Sequence, residues 1–284
     1  MVHPLDPRDF RAGRLILEPE DFALGDNEPD SPPTDLISED TWNGVMTLPG
    51  DVAIRTTSHQ GTRVAILYEL WSGWVHAMPH TGIVAEAMMD SADDFASALF
   101  NLMHGFYKQS LSALRSALET MTLACACETT GDGGKWSAWQ GGEEIRFKLA
   151  CDTLQSSSSF RILEDKAQEA TGLSIYAGDN GSGRNAWARN LFRRLSKFAH
   201  SRGDSSNFHF WNSNGPIYSA AGMRIAYHSY LETYSLLLLI AKVAAVNLKM
   251  PTEARLIYKA DNSKQYLPSQ FEPVCLFYWS QLFP

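Results

Sequence analysis

The sequence predicts a mainly α protein, a helical bundle of four to five helices with a small N-terminal β-hairpin appendage. Three observations predict it. Apolar residues beyond residue 90 recur at three- and four-residue spacing, as in Phe95, Leu99, Leu102, Met103 and Phe106, which is the period of one helical face. Clusters of glycine, serine and proline fall between those stretches and mark the connections. Strand-like runs joined by a short turn occur once, around residue 60. With 284 residues, 44% hydrophobic and 20% charged, the chain can bury a sizeable core, and wholesale disorder is not expected.

In order, residues 1–80 read as an acidic, proline-rich lead-in followed by the hairpin. The lead-in, with Glu18-Pro19-Glu20-Asp21 and Ser31-Pro32-Pro33, has the composition of an extended, solvated segment, with one short strand at Arg14 to Leu17. The hairpin pairs Val52 to Ser58 with Arg63 to Trp71 across His59-Gln60-Gly61, because both runs are β-branched and apolar and the turn is short and glycine-bearing. Two strands alone are marginal, so Trp71 and Trp74 are expected to anchor them to the helices. Residues 81–250 form the bundle. Its first helix is expected from Ser91 to Cys127, with Asp93 and Asp94 at the positive end of its dipole and Gly131 to Gly134 beyond its end. Two short helices follow, Glu143 to Leu154 and Phe160 to Ala170, separated by Ser156 to Ser159. The last long helix spans Ser219 to Lys249, and Pro251 stops it. The tail, residues 251–284, is rich in aromatic residues and is expected to dock on the bundle or on a second copy.

Function-like signal concentrates in Asn185 to Arg202, a basic helix ending at a histidine. Trp187, Leu191, Leu195 and Phe198 share one stripe, and Arg189, Arg193, Ser196, Lys197 and His200 fall opposite. No acid occurs between Asp179 and Asp204, although the formal net charge of the chain is -8. The computed pI near 5.5 excludes a uniformly basic nucleic-acid binder, so any such contact must be local. Arg184, Arg189, Lys197 and Arg202 are the candidate nucleic-acid contacts. Five residues separate Arg194 from His200, and six separate Arg193 from it. An arginine and an imidazole on a polar face can hold a phosphodiester and move a proton at neutral pH. Arg115 and Glu119, four apart on one helical face, are the supporting candidates.

At these residues the sequence resembles the HEPN superfamily of prokaryotic helical-bundle proteins, found in toxins and antiviral defence systems. The likeness rests on Arg194 (or Arg193) followed by His200, on Arg115 to Glu119 with Trp136 and Trp139 after it, and on Leu195 to His200; it covers roughly residues 95 to 245. The resemblance implies RNA binding, cleavage without a metal with Arg194 and His200 as catalytic residues, and pairing of two bundles as a homodimer. It departs at the position after the arginine, commonly polar in the family, where Arg194 or Leu195 stands here. The alternative from the residues alone is a non-enzymatic interaction or scaffold protein, using the basic helix and the aromatic tail, with His200 a structural cap bonded to Arg115 or Glu119.

Other chemistries lack their residues. Gly178 to Asn185 approaches a phosphate-binding loop, but Arg184 and Asn185 occupy the places where lysine and a hydroxyl residue do the chemistry. Cys125 and Cys127, two apart on a helix, point about 200° away from each other, and four cysteines in a chain this long make no disulfide framework. His76 and His80 lack a metal-ligand signature. No cofactor and no metal are therefore expected. The N-terminus shows no secretory signal, and the apolar run Leu236 to Ile240 is far short of a bilayer span; the expected location is cytoplasmic.

Overall fold

The computed structural model describes residues 39–176, 186–199, 216–258 and 270–283. The architecture is mainly helical, with no strand among the described residues beyond one isolated parallel bridge between Ser174 and Ala186. Among the described residues nine helices have eight or more residues, so the expected four to five is too few. We label them α1 (Leu48–Ala77), α2 (Ile83–Met103), α3 (Tyr107–Thr130), α4 (Gly133–Gln140), α5 (Phe147–Ser156), α6 (Ser158–Thr171), α7 (Trp187–Ala199), α8 (Ala220–Ala244) and α9 (Glu272–Leu282). A short turn of helix at Glu39–Trp42 and a π-helical turn at Asn43–Thr47 lead into α1. The acidic lead-in before residue 39, including Arg14 to Leu17, lies outside the described residues.

The expected β-hairpin is absent, because its residues form α1. Val52 and Thr56 are buried, then Leu67, Leu70, Trp74 and Ala77, and those spacings of three and four belong to a helix. Ile54, which a strand on the same face would have buried, is 66% exposed. Packing against α2 overrides the β-branched composition: Trp74 Nε1 donates to the Met88 carbonyl at 3.0 Å, and Trp71 Nε1 donates to the Ala92 carbonyl at 3.0 Å. The intended turn survives only as a kink, where Gln60 leaves helical geometry at φ -134°, ψ 20°.

The single helix expected from Ser91 to Cys127 is two, α2 and α3. Gly105 at φ 81° makes the break, and a Cβ there would lie 2.4 Å from the Ile217 carbonyl oxygen. A left-handed residue in close backbone contact ends a helix that side-chain periodicity alone would continue. The serine run does separate α5 from α6, with Ser157 accepting a hydrogen bond from the Phe160 amide, and Gly172 at φ 70° closes α6.

Two helices organise the core. The stretch Thr120–Cys127 of α3 and the stretch Ser229–Ala241 of α8 are buried on every side, the pattern of a helix surrounded by others. Between α1, α2 and α8, Trp74, Phe95, Tyr230 and Tyr234 meet with ring centroids 5.1–5.7 Å apart. The tail helix α9 packs on α6 and α8 and buries Val274, Cys275 and Tyr278. Helix α7 lies across α3 and touches α8, which sets its basic side at the edge of the bundle.

Candidate nucleic-acid interface

The start of α7 is fixed by the extended residues that follow α6. Ser174 and Ile175 offer carbonyls to the Trp187 and Ala188 amides, each at 2.9 Å, satisfying helix-terminal donors that otherwise lack partners. Glu164, buried on α6, holds that extended stretch in place. Its carboxylate accepts from the Ile175 amide at 2.9 Å, the Tyr176 amide at 3.3 Å and the Tyr278 hydroxyl at 2.7 Å. Trp187, Leu191 and Leu195 are then sealed in the core, and Arg193 and Lys197 are left on the exposed side of α7.

These cations divide into two groups. Arg189 pairs with Asp152 of α5 at 2.6 Å. Arg194 pairs with Glu232 of α8, whose carboxylate also accepts from Trp187 Nε1 at 2.9 Å. Glu232 is 1% exposed while the Arg194 side chain keeps 43% of its surface open. Burial pushes the Glu232 carboxyl up, and the Arg194 charge and the Trp187 hydrogen bond oppose that push. Arg193 and Lys197 are exposed, and neither pairs with a carboxylate among the described residues; Arg193 reaches only Asn190, at 3.5 Å.

The supporting pair comes together with this helix. Arg115 binds Glu119 at 3.0 Å, donates through Nε to Ser196 at 3.1 Å and lies 5.0 Å from the Phe192 ring centroid. Burial raises Glu119, against the Arg115 charge. Beside them a cleft of about 520 Å³ opens between α3, α5 and α7. Arg115, Arg146 and Lys148 supply its cations, Glu119 and Glu144 its acids, and Trp139, Phe147 and Phe192 its rings; Phe147 and Phe192 stack at 4.2 Å and 9°.

Arg184, His200 and Arg202 lie outside the described residues, as does the glycine-rich stretch 178–185. Sequence reading missed Glu232, Asp152 and the aromatic wall of the cleft. Glu232 carried a signal: it is the one acid in the run Tyr227 to Ile240, and an acid set inside an apolar helix needs a buried partner. Asp152 carried none, since an acid on a short amphipathic helix is ordinarily solvated. The four cysteines are free and buried, and burial raises the Cys125 and Cys151 thiols, Cys151 to about 12, so neither is a nucleophile. No group of His, Cys, Asp and Glu suited to a metal occurs among the described residues, and no described helix is long and apolar enough to cross a membrane. Comparison with protein families, with curated proteins and with solved structures gives no match.

Proposed function

We propose that this chain is an HEPN-like RNA-binding protein of the toxin or antiviral defence type, and that its contact surface is the open side of α7 with the adjoining cleft. One observation carries the reading: Arg193 and Lys197 are exposed with no carboxylate partner among the described residues, and Arg194 keeps part of its surface open, on one helix of a chain with net charge -8. A cationic track beside stackable rings is the chemistry that holds a single-stranded polynucleotide. Arg189 and Arg194 serve first as anchors, fixing α7 to α5 and α8.

The finer reading is metal-independent cleavage at Arg194 and His200. Glu232 fixes one edge of the Arg194 guanidinium, and the remaining surface can meet a phosphate without a search over rotamers. His200 would take the proton of a ribose 2′-hydroxyl as its oxygen attacks the adjacent phosphorus, and the bond to the 5′-oxygen would break, that oxygen leaving with a proton from water or from a second imidazole. Pairing of two bundles would supply the second imidazole. The carboxylates on Arg189 and Arg194 favour a second reading, a non-enzymatic protein-interaction or scaffold protein using the basic helix and the aromatic tail.

Labelled single-stranded RNA in EDTA separates the two. Wild type should bind, and Arg193→Glu/Lys197→Glu should weaken binding by at least about tenfold. His200→Ala should bind normally and lose cleavage. RNA retained but uncut by wild type removes cleavage and keeps RNA binding; no binding by wild type removes both RNA assignments and leaves the protein-interaction reading.

A further inference from the structure

A second cationic surface lies where α1 kinks against the start of α8. Arg55 stands 5.8 Å from the centroid of the Tyr218 ring, and His59 stacks on that same ring at 5.4 Å and 30°. Arg63 stands 5.5 Å from the Tyr227 ring and donates to the Gln60 side chain at 2.6 Å, while Gln60 in turn donates to the Tyr218 hydroxyl at 3.3 Å. The break in helical geometry at Gln60 brings these groups to α8. From α8 comes exposed Arg224, and half-buried His228 is held below its usual range by burial and by Arg63 and Arg224. No acid occurs between Asp51 and Glu69 or between Asp204 and Glu232, and none of Arg55, Arg63 and Arg224 pairs with a carboxylate among the described residues.

The register of α8 sets the spacing between this surface and the residue that anchors α7. Arg224, His228 and Glu232 follow one another at intervals of four, so they climb one side of the helix with a drift of about 40° per step. At about 1.5 Å per residue, Arg224 lies about 12 Å and His228 about 6 Å along the axis from Glu232, the residue that holds Arg194. We infer that Arg63 and Arg224, with Arg55 beside them, form a second phosphate-binding platform, which takes a further stretch of the single-stranded RNA held at Arg193, Arg194 and Lys197. This rests on the RNA-binding reading of α7. The guanidinium groups of Arg55 and Arg63 lie against tyrosine faces, and arginine suits phosphates, since it offers planar paired donors and stacks on rings.

The test is RNA binding by fluorescence anisotropy over a range of salt, with the full chain. Arg63→Glu/Arg224→Glu should lose at least about tenfold in affinity, and its dependence on log salt should flatten by roughly 0.7 for each phosphate contact removed. Arg63→Gln/Arg224→Gln should lose less, in the same direction, and guards against a folding defect in the first variant. A charge-matched control, Lys249→Glu/Arg255→Glu, should stay within about twofold of wild type. If wild type binds RNA and the platform variants behave like the control, the platform is wrong and the α7 reading stands. If wild type binds no RNA, both fall. Binding of polyglutamate as tight as that of RNA, lost in the same variants, would assign the platform to an acidic protein and overturn the inference.

Discussion

Asp94 lies half-buried on α2, next in the chain to Asp93 and one helical turn from Asp90. Burial is the main reason its carboxyl is pushed up to about 6, with the two neighbouring acids adding to the push and a hydrogen bond to Ser116 opposing it. The sign follows from linkage. A carboxyl whose folded value exceeds its unfolded one stabilises the fold at low pH, and that contribution disappears as pH rises through about 6. At about 1.4 kcal/mol per unit, discounted for partial exposure, ionised Asp94 costs on the order of 1–2 kcal/mol at neutral pH. Asp94→Asn should therefore melt higher than wild type at pH 7.5 and close to it at pH 4; equal melting at both values would contradict the account. Glu232 is the other buried carboxyl of consequence, and there the Arg194 cation and the Trp187 N–H compensate for the lost solvent. Removing one member of such a pair leaves the other uncompensated, which is why Arg194 cannot be treated as a free surface cation.

Among the elements, the joints decide the architecture. The α2–α3 corner depends on Gly105, whose φ of 81° a side chain rarely adopts and whose missing Cβ leaves room for the Ile217 backbone. Gly131, at φ 69°, closes α3 with nothing within 4 Å of a would-be Cβ. The two make a controlled comparison. Gly131→Ala should cost about 1 kcal/mol of left-handed strain, whereas Gly105→Ala adds a backbone collision and should cost several kcal/mol in total. Urea melts of the two variants check this, and equal midpoints would remove the close approach from the explanation. Gly105 also explains what was legible in the sequence. The periodic stripes of α2, α3 and α8 could be read because side chains decide them. The corner could not, because it depends on a contact with residue 217, more than a hundred positions away. Helix α1 was misread for a related reason. Its β-branched residues suggested strands locally, but the burial of Leu67, Leu70 and Trp74 against α2 decided the outcome. Within the candidate site, the inward stripe of α7 and the Arg115–Glu119 pair were legible from spacing, whereas the carboxylates that hold Arg189 and Arg194 arrive from α5 and α8, at separations no local pattern encodes.

For the whole molecule, the charge is unevenly placed. A chain of net charge -8 repels a polynucleotide at long range, so the proposed RNA binding requires a local cationic field, for which Arg193 and Lys197 on α7 and Arg63 and Arg224 are the candidates. Carboxylates neutralise the cations that hold helices together, and the ones that remain line the outer surface. The most direct test is the salt dependence of single-stranded RNA affinity for the intact wild-type chain. A local cationic track contacting about four phosphates should give a straight fall in log affinity against log salt, with a slope of roughly -3. A flat line, or no measurable binding at low salt, would contradict it.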